Sequence, residues 1–410
     1  MLPTHLQPAV DAAEKSINTM KTRFELIETQ HALNAFFTAN QELDWMSFDT
    51  EFVGERRFQT SLCLIQVGTR HGNYLIDPMV LEDLSPLLTL IQNPDIIKIT
   101  HAGENDYRLL YSLYGILPRN VFDTQIAAGF IGYKYPVAFK KLVETELRLH
   151  LKKSQTVTDW ESRPFKPSQL EYALEDILPL HSLYELQKEK LQQMGRLHWA
   201  LEECAALETE QYYAKDPNHE ALNSQMMKTA SLREQVFLLR LYAWRNQQAE
   251  QRNHSKEMVL AAKYIPVIVK GIRSGKEGLL DNRRLPDRMV QEHWHLWNKM
   301  FQLPASEEEL RLIQSVPPEE EENPREEILI ELLYLIIKHH CLEHGVSYAL
   351  AMPRNMVRRI QEAPEQASIW FGKGWRTELF GEKFNHWMQA YKQLGIHLFE
   401  DRIELRLDHE

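Results

Sequence analysis

The run Trp45-Met46-Ser47-Phe48-Asp49-Thr50-Glu51-Phe52 has the pattern of a β-strand that carries acids on one side. Side chains alternate across a strand, so Met46, Phe48, Thr50 and Phe52 share one face, and Ser47, Asp49 and Glu51 share the other. Both carboxylates therefore leave the edge of an apolar core in the same direction. Two like charges held there are costly unless a cation compensates them. A divalent metal in an oxygen-rich site, Mg²⁺ or Mn²⁺, is the usual compensation. On this pattern alone a solvated strand end accounts for the pair as well.

Further strands follow on the C-terminal side. Ser61–Val67 (SLCLIQV) and Tyr74–Asp77 (YLID) flank His71-Gly72-Asn73 and read as a hairpin. Ile96–Thr100 is a fourth strand and Val121-Phe122 a short fifth. Helical patterns fill Asn105–Tyr114, with Gly115 as its C-terminal cap, and Ala138–Leu149. A longer helix begins near Pro167-Ser168, where Ser168 and Glu171 have capping-box spacing. From about residue 196 the chain reads as almost entirely helical. The expectation is an α/β domain followed by all-α domains. Ala214–Asn218 and the proline-bounded acidic run Val316–Pro324 are the expected linkers.

Two more acidic elements fall at informative places. His101-Ala102-Gly103-Glu104-Asn105-Asp106 follows the fourth strand directly and puts Asp106 in the first turn of a helix, near a strand's C-terminal end. An Asp there also favours the helix dipole without any further role. Tyr172 and Asp176 stand at i and i+4, on one helix face, where a phenol and a carboxylate can hold a metal and orient a water. A core Tyr beside a surface Asp gives the same spacing.

Taken in order, D-x-E on a strand, Asp at a helix start and Y-x-x-x-D resemble the DEDD superfamily of 3′→5′ exonucleases, in its tyrosine subclass. The runs FDTEFVGERRFQTSLCLIQVG, ITHAGENDYRLL, FDTQIAAGFIG, KKSQTVTDWESRP and QLEYALEDILPLHSLY are similar to those of the ribonuclease D family. This likeness covers about residues 25–195. It implies a ribonuclease H-like mixed sheet, with Asp49, Glu51, Asp106 and Asp176 as ligands of two divalent ions and Tyr172 positioning the attacking water. Asn105 departs from the family's common residue before the motif aspartate, while Asp106 itself is retained. Asp123 also matches family wording, and its expected role is to cap the helix after it. Under the two-metal scheme Asp49 bridges both ions, Glu51 and Asp176 hold the nucleophile-side ion, and Asp106 serves the second.

Basic residues between the second and third acidic motifs are candidate phosphate contacts, chiefly Lys140, Lys141, Lys153 and Arg163. Each fits ordinary solvated surface equally well. In the helical half, Ser231–Arg252 is amphipathic, with Val236, Leu239, Tyr242 and Ala243 at helical spacing. Leu241, Trp244 and Arg245 with the helices after them resemble an HRDC domain, and residues from about 325 to 395 resemble a second, more divergent one. Trp244 and Trp297 are expected to pack in cores. His340 and His344 lack a matching second ligand pair, so the helix is not read as a zinc site. The implied layout is an extension over 1–22, an exonuclease domain over 23–200 and helical domains over 215–305 and 320–400.

The rest of the sequence bounds the function. The net charge of −11 is acidic for a nucleic-acid binder, but an acidic cluster neutralised by cations removes part of that objection. The three cysteines, Cys63, Cys204 and Cys341, are far apart, which fits a reducing cytoplasm better than a disulfide framework. No apolar run is long enough to span a membrane, and no G-x-x-x-x-G-K-[ST] loop supports a helicase. The resemblance implies an RNA 3′-end nuclease acting on transfer-RNA precursors and other structured RNA 3′ ends, and a monomer is expected. A DNA exonuclease and a catalytically silent RNA-binding scaffold are the alternatives.

Overall fold

A computed structural model of the chain describes residues 24–151, 159–214, 216–316, 324–362, 369–389, 394–398 and 403–407. Six strands form one mixed sheet: β1 (Glu25–Ile27), β2 (Trp45–Val53), β3 (Ser61–Thr69), β4 (Gly72–Ile76), β5 (Ile97–Thr100) and β6 (Val121–Asp123). Their order is β1-β4-β3-β2-β5-β6. β4 runs antiparallel to β3, whereas β5 is parallel to both β2 and β6. β3 is buried along almost its whole length, as a central strand covered on both faces must be. The edge strand β1, parallel to β4, has no counterpart among the expected strands, because three residues are too few to show a period.

Up to Ala205 the helices described beside the sheet are α1 (Gln30–Ala39), α2 (Ser85–Gln92), α3 (Glu104–Tyr114), α4 (Thr124–Phe130), α5 (Phe139–Glu146), α6 (Pro167–Ile177), α7 (Leu180–Gln193) and α8 (Leu197–Ala205). Gly115 closes α3 in the left-handed conformation at φ 67°, as expected of that cap. α6 departs from expectation by about half a turn. Its cap is Lys166, whose N–H donates to Gln169 Oε1 at 2.9 Å, so Ser168 lies inside the first turn instead of ahead of it. Pro167 at the first helical position fixes that start.

The chain divides into two compact units. One spans Met1–Glu51, Leu62–Tyr213 and Asn323–Glu410; the other spans Phe52–Ser61 and Ala214–Glu322. The unit boundaries lie at Tyr213–Ala214 and Glu322–Asn323, and the last helical stretch groups with the first unit. It docks on α4 and α8. The Ser347 N–H donates to the Gly129 carbonyl at 2.7 Å, and Trp375 Nε1 donates to Glu203 at 2.8 Å. Arg376, buried between the rings of Trp370 and Trp375, pairs with Glu203 at 3.1 Å. A further hairpin, β7 (Leu394–Leu398) with β8 (Ile403–Leu407), interrupts the expected all-helical tail.

In the second unit the long helix Leu232–Arg252 begins at a capping box made by Ser231 and Glu234. Its buried side chains include Val236, Leu239, Leu241 and Trp244, which join Val290 and Trp297 in one core. Both tryptophans thus pack as expected, whereas Ala243 is exposed. Arg245 is buried and held by Glu220 and Glu257, so it is a packing residue of this core. Ser231→Ala is expected to cost about 1 kcal/mol by removing the cap. A lowered urea midpoint at unchanged slope would show it.

Candidate active site

β2 alternates as its sequence requires: Met46, Phe48 and Thr50 are buried, while Asp49 and Glu51 are partly accessible on the opposite face. β5 runs parallel to β2 and ends at Thr100, so the chain reaches α3 beside the same end of the sheet. The turn between them is tight. Ala102 takes a left-handed conformation at φ 58°. Asp123 secures it, accepting from the N–H groups of Ala102 at 3.1 Å and Gly103 at 2.8 Å. Asp123 also caps α4, as expected, through Gln125 and Ile126. One carboxylate thus fixes two helix starts, and the first of these delivers Asp106. Gly103 must lack a side chain, because a Cβ there would lie 2.6 Å from Thr100 Oγ1.

α6 brings in the third motif. Asp49, Glu51 and Asp176 place one carboxylate oxygen each within 4.8 Å of one another. Asp106 lies deeper, 6% exposed, and accepts a hydrogen bond from Thr50 Oγ1. Thr50, placed by alternation on the core face of β2, is therefore the tie between the first two motifs. The cleft has a volume of about 240 Å³ and is lined by Asp49, Thr50, Glu51, His101, Phe139, Tyr172, Asp176 and Leu180.

No Lys or Arg is among those lining residues, and the electrostatics show the consequence. Burial, then Asp106, Asp176 and Glu51, raise the Asp49 pKa well above the usual carboxylate range. Burial, then Asp176 and Asp106, push Glu51 up to about 8. Burial carries Asp106 and Asp176 up to about 7, against the opposing hydrogen bonds from Thr50 and Tyr172. The Tyr172 phenol is raised above its ordinary value by burial and by Asp176. A purely oxygen donor set, crowded and short of cations, fits hard divalent ions such as Mg²⁺ or Mn²⁺.

Comparison with known proteins places this arrangement. A family model described as 3′-5′ exonuclease matches residues 24–192. Ribonuclease D of Bartonella henselae is 30% identical over 369 residues, covering 88% of this chain and 89% of that protein. The chain belongs to the ribonuclease D family. Ribonuclease D of Gluconacetobacter diazotrophicus is 28% identical over 384 residues, covering 87% of this chain and 91% of that protein. The crystal structure of Escherichia coli RNase D, described as an exoribonuclease involved in structured RNA processing, superposes with a TM-score of 0.77 at 24% identity. It covers 90% of this chain and 100% of that one, and shows the same fold. The catalytic core of RRP6 from Trypanosoma brucei is more distant, with a TM-score of 0.54 at 20% identity, covering 72% of this chain and 87% of that one.

Of the acids and the tyrosine singled out in the sequence, Asp49, Glu51, Asp176 and Tyr172 line one cleft, and Asp106 lies buried beside it, near enough to raise the pKa of Asp49. Arg163 needs correction. Its guanidinium donates to both oxygens of buried Asp77 and to the carbonyls of Cys63, Trp160 and Ser162. All five donors are used inside the protein, so none is left for a phosphate. Lys140 and Lys141 are exposed on the first turn of α5, next to the cleft-lining Phe139, and Lys140 stands 3.8 Å from Glu144. Lys153 lies outside the described residues. Thr50, His101, Phe139 and Leu180 were not anticipated as lining residues. His101 donates from Nε2 to the Val137 carbonyl at 3.0 Å and faces Thr124 Oγ1 at 2.9 Å.

Proposed function

We propose that this 3′→5′ exoribonuclease of the ribonuclease D family trims the 3′ ends of transfer-RNA precursors with two divalent ions, Mg²⁺ or Mn²⁺, releasing nucleoside 5′-monophosphates. The reading rests on one observation: Asp49, Glu51 and Asp176, from two separate segments, bring carboxylate oxygens within 4.8 Å of one another in a cleft that, among the described residues, no Lys or Arg lines, and buried Asp106 lies near enough to raise the pKa of Asp49. Asp49, Glu51 and Asp176 would hold an ion on the nucleophile side, and Asp106, steadied by Thr50, would serve a second together with Asp49. Ions bound here supply a water of lowered pKa and stabilise charge on the leaving 3′ oxygen.

The remaining work belongs to the side chains. Tyr172, hydrogen-bonded to Asp176 and with a pKa above an ordinary phenol's, stays protonated at neutral pH. It therefore orients the attacking water and does not deprotonate it. Phe139 and Leu180 line the cleft and would offer apolar surface to the terminal nucleotide, and Lys140 and Lys141, exposed directly after Phe139, would meet its upstream phosphates. Unit Ala214–Glu322 is assigned as an HRDC-type module, and the chain as a cytoplasmic monomer. Among the described residues no helix is long and apolar enough to cross a membrane.

Tyr172→Phe is expected to lower kcat by about 10²-fold while leaving metal affinity unchanged, as judged by single-turnover rates and metal titration. For the function itself, purified protein with Mg²⁺ or Mn²⁺ is offered a 3′-extended transfer RNA and a DNA strand of matched sequence. Mononucleotides released from the RNA 3′ end are the expected product. Internal cuts, or faster digestion of the DNA, would overturn the reading.

A further inference from the structure

We propose that Trp160 is a positioning residue for Tyr172, and that the Arg163–Asp77 pair holds Trp160 in place. The proposal rests on Tyr172 orienting the attacking water. The loop over residues 159–166 leads directly into α6, the helix that carries Tyr172 and Asp176. Within it the Trp160 ring lies against the Tyr172 ring, with centroids 6.1 Å apart and planes inclined at 43°. Phe165 meets Trp160 edge-on at 6.4 Å. At 7% exposure, Trp160 has almost no surface left on which a nucleotide base could stack.

The loop is fastened to the sheet through Arg163. Nη1 donates to the Trp160 carbonyl at 2.7 Å, while Nη2 donates to Asp77 Oδ1 and to the Cys63 carbonyl, each at 2.8 Å. Cys63 belongs to β3, and Asp77 follows β4 directly, so the backbone at Trp160 is referenced to two core strands. The guanidinium also lies 3.8 Å over the Phe165 ring. Gln169, in the first turn of α6, donates to the Asp159 carbonyl at 3.1 Å and ties the loop to the helix it precedes. Tyr172 itself is partly exposed. Its phenol can hold a water steadily only if its ring cannot swing, and Trp160 forms one wall against that swing. Misplacing a reacting group by about 1 Å costs up to about 10²-fold in rate.

The test is a double-mutant cycle in the full-length protein with saturating Mg²⁺, reading kcat and KM on a 3′-extended RNA. Trp160→Ala is expected to lower kcat by about 10- to 100-fold, with KM changed less than about twofold. Trp160→Phe, which keeps a ring, should recover most of that loss. Arg163→Lys keeps the charge against Asp77 but gives up the fork of donors, and should lower kcat by about tenfold. In a Tyr172→Phe background each effect should shrink to less than about threefold, because the group being positioned is gone. If Trp160→Ala does not fold, Trp160→Leu and Arg163→Lys complete the cycle.

Losses that persist in full on top of Tyr172→Phe, or that fall on KM, would overturn the positioning role and leave the reading of Tyr172 standing. Full activity in Tyr172→Phe alone would instead remove the role given to Tyr172, and the proposal with it.

Discussion

Asp49→Asn is expected to reduce exonuclease turnover by about 10³-fold or more while the chain keeps its fold, since the ions supply several kcal/mol of transition-state stabilisation. Asp49 stands at the centre of the cluster: Asp106, Asp176 and Glu51 all raise its pKa. An amide in its place would remove a charge that divalent ions held at this cluster would need. Folding should not suffer, because the carboxylate is held against burial and three like charges without a cation partner. Single-turnover cleavage of a 3′-extended RNA at saturating Mg²⁺ or Mn²⁺ measures the loss, and far-ultraviolet circular dichroism checks the fold. Turnover within tenfold of the parent would remove Asp49 from the centre of the mechanism. Asp106→Asn should behave alike but leave one ion bound, because Asp49, Glu51 and Asp176 still converge within 4.8 Å.

The parts of this site that could be read from sequence are those set by local periodicity. Asp49 and Glu51 face one way because a strand alternates, and Tyr172 and Asp176 share a side because a helix repeats every 3.6 residues. Asp106 followed from its place after an apolar strand. What stayed hidden depends on contacts between distant segments. Thr50 looked like a core residue, and its hydroxyl acquires a role only once α3 lies beside β2. Arg163 was read by its charge, whereas its partner Asp77 is 86 positions away and entirely buried. Nothing local marks an Arg as already satisfied. β1 was missed because it is too short to show alternation, and it exists only through its pairing with β4. In the tail, Leu394, Ile396 and Leu398 do alternate, as do Ile403, Leu405 and Leu407, but two five-residue runs beside a long helical stretch make a weak period-two signal.

Stripped of divalent ions, the protein is expected to lose stability steadily as pH rises from about 5 to about 8. A carboxyl whose folded pKa exceeds its unfolded value, near 4, binds its proton more tightly in the native state. Glu51 at about 8, with Asp106 and Asp176 at about 7, all shift in that direction. Below pH 4 both states hold these protons and the site carries no penalty. Between 4 and 8 the unfolded chain ionises first, so stability falls with each unit of pH; above 8 both states are ionised and the loss is complete. The total is on the order of several kcal/mol. Mg²⁺ or Mn²⁺ should act in the opposite sense, since an ion at this site would bind its ionised folded form and displace protons to do so. The stabilisation on adding metal should therefore grow between pH 6 and 8.5. Urea midpoints in chelator and in metal across that range give both curves, and Asp49→Asn isolates the site by flattening them. A metal-free stability that holds level or climbs over the same interval, with a metal effect indifferent to pH, would mean that the four acids are not crowded as described.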